Sequence, residues 1–325
     1  AGCTSLIIAG FGLRDAISSM IPSQYGEIFQ YNLEISLKEG LTQNQTQEAY
    51  TKTVDRNEIK NSMLVDIHSI SIDKDNNNQS IQLIVPQQVE QLQDFIQLRN
   101  RKHNEETYTL NDEGVILTEK LAQLLDIKEG DTIVLETDDD TVEVKVTTIT
   151  ENYLLHYIYM SPTLYEQLYQ EEMKPNTILA ITEELSEEQE DTLGKSILED
   201  KENISGVSFT SATTDMFEDV MNNMSLVVFI LIVAAGMLAL LVLYSLSNTN
   251  ISERIRELAT IKVLGFYDKE VYNYVGKETV ILTLIGILVG LGGGFFLTTY
   301  IIKTCELDML MLNTKIKVMS YLYGI

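Results

Sequence analysis

The chain has 325 residues, is 45% hydrophobic, contains two cysteines and carries a formal charge of −25. Residues 26–223 hold 14 Lys and Arg against 40 Asp and Glu, a net of −26, whereas the remainder holds 9 against 8. A region of that charge repels nucleic acid and anionic membrane surfaces, which excludes both as its partners. Cys3 and Cys305 lie outside it, so its fold uses no disulfide.

In chain order, residues 1–13 (AGCTSLIIAGFGL) are apolar and rich in small side chains. They are too short to span a bilayer alone. With no initiator Met and no basic stretch before them, they read as the outer end of a span whose start lies outside this sequence. The helix is expected to run to about Met20 and to stop at Pro22.

Alternation of apolar and polar residues predicts strands over 27–37 and 62–72, the second closing a hairpin with 81–85 through a turn at 73–80. Helices are expected at 42–56 and 89–95. Residues 115–117 form a short strand, Thr118 caps a helix to Leu125, and a turn at Gly130 and Asp131 leads into a strand at 132–136. Asp138, Asp139 and Asp140 form a hairpin tip before a strand at 142–150. Residues 153–160 are another strand, and Ser161 caps a helix to Tyr169 with Pro162 at its first position. A strand at 177–181, a helix at 186–198 and a strand at 207–209 follow. Strands and helices in this mixed order describe an α+β domain with a mixed or antiparallel sheet.

Residues 226–246 (LVVFILIVAAGMLALLVLYSL) and 279–302 (TVILTLIGILVGLGGGFFLTTYII) contain no charge. Each reaches the roughly 20 residues that a helix needs to cross a bilayer core. The first is expected to continue a helix begun near Thr213, since no Pro or Gly intervenes before Val233. Residues 319–325 read as the start of a further span. Lys and Arg occur five times in 247–278 and three times in 303–318, so charge alone leaves the orientation open.

The loop between the two spans, ISERIRELATIKVLGFYDKEVYNYVGKE, places Ile251, Ile255, Leu258 and Ala259 on one helical face and Glu253, Arg254 and Glu257 on the other. Gly265 suits the left-handed position that ends a helix, and Asp268 can cap the next. Phe266 and Tyr267 are aromatic where a plain loop is polar. They fit a docking knob, with the headgroup boundary as the alternative placement. In the second span Gly286, Gly290 and Gly294 recur every fourth residue, a spacing that lets helix backbones approach closely.

The run of Glu253, Arg254, Arg256, Glu257, Leu258, Ala259, Ile261, Lys262, Leu264 and Gly265, followed by Glu278, resembles the signature of FtsX-like ABC transporter permeases, the transmembrane subunits of MacB-type and LolCDE-type systems. The resemblance implies a membrane protein of α-helical transmembrane segments with an inserted α+β extracytoplasmic domain like the MacB periplasmic domain. It divides the chain into the end of a first transmembrane helix with its exit (1–25), the extracytoplasmic domain (26–223), a transmembrane helix continuing a stalk (224–248), a cytoplasmic coupling loop (249–278), a transmembrane helix (279–302), an extracytoplasmic loop (303–318) and the start of a further span (319–325). The implied coupling-loop residues are Glu253, Arg254, Arg256, Glu257, Leu264, Gly265, Phe266 and Tyr267. The implied partners are a cytoplasmic ABC ATPase subunit that binds Mg-ATP, a second FtsX-like unit on the same chain or a dimer mate, and membrane lipid. The implied location is the bacterial cell membrane.

Other chemistry finds no support in the residues. Residues 73–78 begin like a calcium loop, but Asn78 and Ile84 stand where Gly and Glu are required. His68, His103 and His156 are far apart, Cys305 has no local His to activate it, and no Gly-rich phosphate loop ends in Lys-Ser or Lys-Thr. No cofactor, metal or catalytic residue is therefore expected. Two functions fit the resemblance. One is movement of a lipid, lipopeptide or antimicrobial peptide at the outer face. The other is activation of a cell-wall hydrolase by the same motion with nothing transported.

Overall fold

The computed structural model describes residues 1–74, 77–136, 141–263, 265, 267–313 and 318–323. The expected hairpin tip at 138–140 and two loop positions, Leu264 and Phe266, lie outside these. The chain forms two compact units. One comprises Met20–Glu218 and Leu307–Met311, and the other Ala1–Ser19, Asp219–Glu306 and Leu312–Ile325.

Among the described residues, the first unit is built on nine strands: β1 (Leu33–Leu37), β2 (Ile59–Lys74), β3 (Asn77–Pro86), β4 (Val115–Thr118), β5 (Thr132–Glu136), β6 (Thr141–Thr150), β7 (Tyr157–Tyr159), β8 (Thr177–Thr182) and β9 (Ile204–Phe209). They form one mixed sheet in the order β3-β7-β4-β6-β5-β2-β8-β1-β9. The pairs β3–β7 and β4–β6 are parallel. An additional pairing of β3 with β2 closes six of the strands into a ring.

The 16-residue β2 serves both halves of the sheet. Ile59 to Val65 pair with β8, and Val65 to Lys74 pair with β3. Inside the ring Ile70, Ile72, Leu83, Leu117, Leu135 and Val146 form one core, joined by Leu121 of α5 (Glu119–Leu124) and Leu164 of α6 (Pro162–Tyr169). A second core holds Leu33, Ile35, Leu64 and Ile178, covered by Ala49 of α3 (Gln43–Val54) and by Leu193 and Ile197 of α7 (Glu187–Ile197). The fourth helix, α4 (Val89–Phe95), buries Leu92 and Phe95.

Local chemistry sets the helix starts. Thr42 with Gln45 and Ser186 with Gln189 form capping boxes. Ser161 Oγ accepts from the Leu164 N–H at 3.1 Å, with Pro162 in the first turn. Thr118 departs from the expectation. Its side chain does not cap α5 but accepts from the Tyr157 N–H at 3.2 Å, pinning the end of β4 to β7.

Three other expectations are corrected. The strand expected over 27–37 begins only at Leu33, because Ser23–Ile28 is a π-helical turn and Phe29 makes an isolated bridge to Ile96. The turn expected at 73–80 is shorter, since pairing persists to Lys74 with Asn77. The strand expected over 153–160 is confined to Tyr157–Tyr159. Residues 153–155 instead pair with residues 309–311, and Leu155 takes a φ of 59°.

The second unit is helical. Its elements are α1 (Gly2–Ser18), most of α8 (Thr210–Glu253), α9 (Ile255–Val263), α10 (Asp268–Cys305) and α11 (Val318–Tyr323). Pro22 does not end the first helical path. It closes the short helix α2 (Met20–Pro22), where a first-turn residue needs no N–H, and the path continues to Ile28. Among the described residues, the stretches Gly2–Ile28, Ser225–Glu253 and Val280–Thr304 are long and apolar enough to cross a membrane.

Candidate functional site

Helix α8 ends at Glu253, Arg254 forms a turn, and α9 starts at Ile255. Ile251, Ile255, Ala259 and Val263 recur every fourth residue, and all four are exposed. Val263 reaches 88% exposure, an unusual state for a valine on a short helix. Glu253, Arg256 and Glu257 are exposed beside this stripe, and Arg254 is half-buried. Ser252 and Thr260 turn their hydroxyls back onto the Asn248 and Arg256 carbonyls at 2.8 and 2.9 Å, so neither projects a free donor. Gly265 takes a φ of 94°, which a side chain would strain. That left-handed step turns the chain from α9 toward α10 and leaves Tyr267 78% exposed. The loop thus presents a helix with an apolar stripe, a charged flank and an exposed phenol. Among the described residues, no group of His, Cys, Asp or Glu could hold a metal ion.

The glycines of α10 lie against α1. A Cβ at Gly290 would stand 2.6 Å from Thr4 Cβ and 2.9 Å from the Ala1 carbonyl oxygen. A Cβ at Gly294 would stand 2.7 Å from Ile8 Cβ, and one at Gly293 2.8 Å from Ser5 Oγ. Gly286 is looser, with the Ala1 nitrogen at 3.5 Å. Ser5 also donates its hydroxyl to the Gly290 carbonyl at 3.0 Å, a bond that only so close an approach permits. On α1 itself, Gly10 admits the Ile232 side chain of α8, 3.3 Å from where a Cβ would lie. Ser320 of α11 donates to the Asp15 carboxylate.

A third set of residues, within the sheet unit, has no signature in the sequence. Gln24 is fully buried. Its Nε2 donates to Asn152 Oδ1 at 2.9 Å, and its Oε1 accepts from the Tyr153 and Leu154 N–H groups at 2.8 and 3.3 Å. Asn152 Nδ2 donates to the Leu154 and Leu155 carbonyls at 2.6 and 3.0 Å. The same backbone receives residues 307–311. The Leu155 N–H donates to the Met309 carbonyl at 2.8 Å, and the Met311 N–H to the Tyr153 carbonyl at 2.9 Å.

Arg99 joins this region by bonding Glu27 at 2.5 Å and the buried Glu151 at 2.6 Å. The Tyr153 hydroxyl donates to Glu151 at 2.5 Å. Burial, then this bond to a carboxylate, pushes the Tyr153 pKa well above the usual phenol range. His156 is pushed down, first by burial and then by Lys120, against the opposing pull of Asp308. The segment from Glu151 to His156 is therefore where the chain leaving α1 and the chain between α10 and α11 both attach. Gln24 and Asn152 are 128 positions apart, so no local pattern could have paired them.

Among curated proteins, none matches the chain. Residues 227–325 match the family model described as FtsX-like permease C-terminal, a match that takes in α9, α10 and the loop read above. Several solved structures are similar, among them these three. The periplasmic region of MacB from Actinobacillus actinomycetemcomitans is 12% identical over 61% of this chain and 97% of that one, with a TM-score of 0.36. The extracellular domain of the noncanonic ABC-type transporter YknZ from Gram-positive bacteria is 13% identical over 54% and 98%, with a TM-score of 0.33. A domain of a putative permease protein from Porphyromonas gingivalis is 11% identical over 52% and 79%, with a TM-score of 0.25.

Proposed function

We propose that the chain is the multi-pass transmembrane permease subunit of an ABC-type system in a bacterial cell membrane, with its acidic sheet unit outside the cytoplasm. The observation that carries this reading is the match of residues 227–325 to the FtsX-like permease C-terminal model. Three apolar helical stretches of sufficient length support it. ATP is bound and hydrolysed by a separate cytoplasmic subunit, and the loop carrying Glu253, Arg254, Arg256, Glu257, Leu264, Gly265, Phe266 and Tyr267 docks that subunit. The exposed apolar stripe on α9 supports this role, because an amphipathic helix laid into a groove buries such a stripe.

Coupling then runs through α8. Thr210–Glu253 is one uninterrupted helix of 44 residues, about 65 Å of rod. Movement started at the loop passes along this rod to the sheet unit, which acts on a lipid, lipopeptide or antimicrobial peptide. A second FtsX-like unit, on the same chain or a dimer mate, completes the assembly.

The test is co-expression and co-purification of the full chain with a candidate ABC ATPase from the same organism. The wild type is expected to hold the ATPase through detergent purification. Gly265→Pro and Tyr267→Asp are expected to lose it while far-ultraviolet circular dichroism stays unchanged. An ATPase that remains bound to both variants would remove the loop from the account.

A further inference from the structure

The sheet ends at β9, which pairs with β1 on one side. Among the described residues nothing pairs with its other side. The Thr210 N–H donates to the Asn32 carbonyl at 3.0 Å, and Ser208 lies opposite Glu34 in the same register. Antiparallel alternation therefore turns the Ser208 peptide groups toward β1 and the Val207 N–H and C=O outward. An exposed strand edge of this kind is a template for another strand.

This edge lies at a groove of about 560 Å³ between α7, β9 and the first turns of α8. The floor is apolar. Val207 and Phe209 pack beside the second core, the Phe209 ring lies 3.3 Å from where a Gly194 Cβ would stand, and Leu198 is exposed next to them. The rim is acidic. Glu187, Glu190, Asp191 and Asp215 face a single lysine, Lys195, which is already paired with Asp191 at 3.2 Å. Ser211, in the first turn of α8, donates to Glu190 at 2.5 Å and so ties α7 to the start of α8 along the groove.

An apolar floor, an acidic rim and an outward-facing strand edge select one kind of occupant. We infer that the groove takes an extended basic segment of a partner polypeptide, added antiparallel to β9, with alternate side chains on the Val207–Leu198 floor and its lysines or arginines against Glu187 and Asp215. Backbone bonds supply the affinity and the rim supplies the choice of sign. Charge complementarity excludes an acidic or purely apolar strand as the preferred ligand. The binding needs no ATPase, so failure of this site and failure of the proposed permease function are separate results.

The probe is a fluorescein-labelled octapeptide of alternating Lys and Val, titrated by anisotropy against the detergent-purified full chain. An octapeptide of alternating Glu and Val is the control. Saturable binding of the Lys peptide alone is expected, weakening as salt rises. Glu187→Gln with Asp215→Asn, both surface changes, is expected to lower affinity about tenfold. Hydrogen exchange is expected to slow at residues 204–209 when the peptide binds. Equal binding of both peptides, binding indifferent to the paired substitution, or unchanged exchange at 204–209 would each overturn the inference. So would exchange at 204–209 that is already slow without peptide and speeds up when a dimer is diluted, because a second copy would then hold the edge.

Discussion

Gln24 is a buried polar residue whose loss the sheet unit should feel. It satisfies Asn152 and two backbone amides in a fully buried setting. Gln24→Leu leaves those groups without partners, at about 1–3 kcal/mol, and should lower the melting temperature by roughly 5–10 °C. Gln30→Leu, which removes only exposed bonds to Gly26 and Glu27, should stay near wild type in the same thermal melt. His68 and His156 give opposite pH responses. His68 is raised, first by its hydrogen bond to the buried Asp66, at 2.9 Å. A raised folded pKa contributes stability that is complete below the unfolded value of 6.5 and is lost as pH rises through the folded one. His156 is lowered, chiefly by burial, so its contribution is present above 6.5 and is lost as pH falls through its folded value. His68→Asn should flatten the alkaline limb of a stability–pH profile and His156→Asn the acid limb, as read by urea midpoints. If the two substitutions flattened the same limb, these assignments would fail. Ser161 was legible as a cap because its partner is three residues away. The equally local Thr118 was misread because a strand neighbour, Tyr157, claims its oxygen.

At the scale of elements, the α1–α10 seam depends on missing side chains. Gly290→Leu or Gly294→Val places atoms where Thr4 and Ile8 already stand, and overpacking of this kind costs about 1–3 kcal/mol or more. Both should unfold at lower temperature in detergent. Gly292→Ala, with nothing within 4 Å of its Cβ, should not. Equal behaviour of all three would show that the seam does not hold the helices. The four-residue spacing of these glycines could be read from the sequence, but the helix that α10 meets could not, because α1 is nearly 300 positions away. The break at Gly265 was legible for the reason that makes it glycine, a positive φ. The π-helical turn at Ser23–Ile28 was missed, although Ile28 stands five positions before Leu33 and so falls out of phase with the alternation of Leu33, Ile35 and Leu37.

For the molecule as a whole, the mixed α+β sheet and the apolar helices could be read from periodicity, and most strands fall within a few residues of their expected positions. The ring could not. It exists because β2 is long enough to pair with β8 at one end and with β3 and β5 at the other. Nor could the attachment of residues 307–311, whose bonds to Tyr153 and Leu155 use backbone groups that any sequence possesses. The most direct measurement is hydrogen exchange of the full chain in complex with its ATPase, followed at residues 153–155, 204–218 and 307–311, with and without ATP. The account predicts that protection in these segments changes with nucleotide. Identical exchange in both states, while ATP is being hydrolysed, would contradict it.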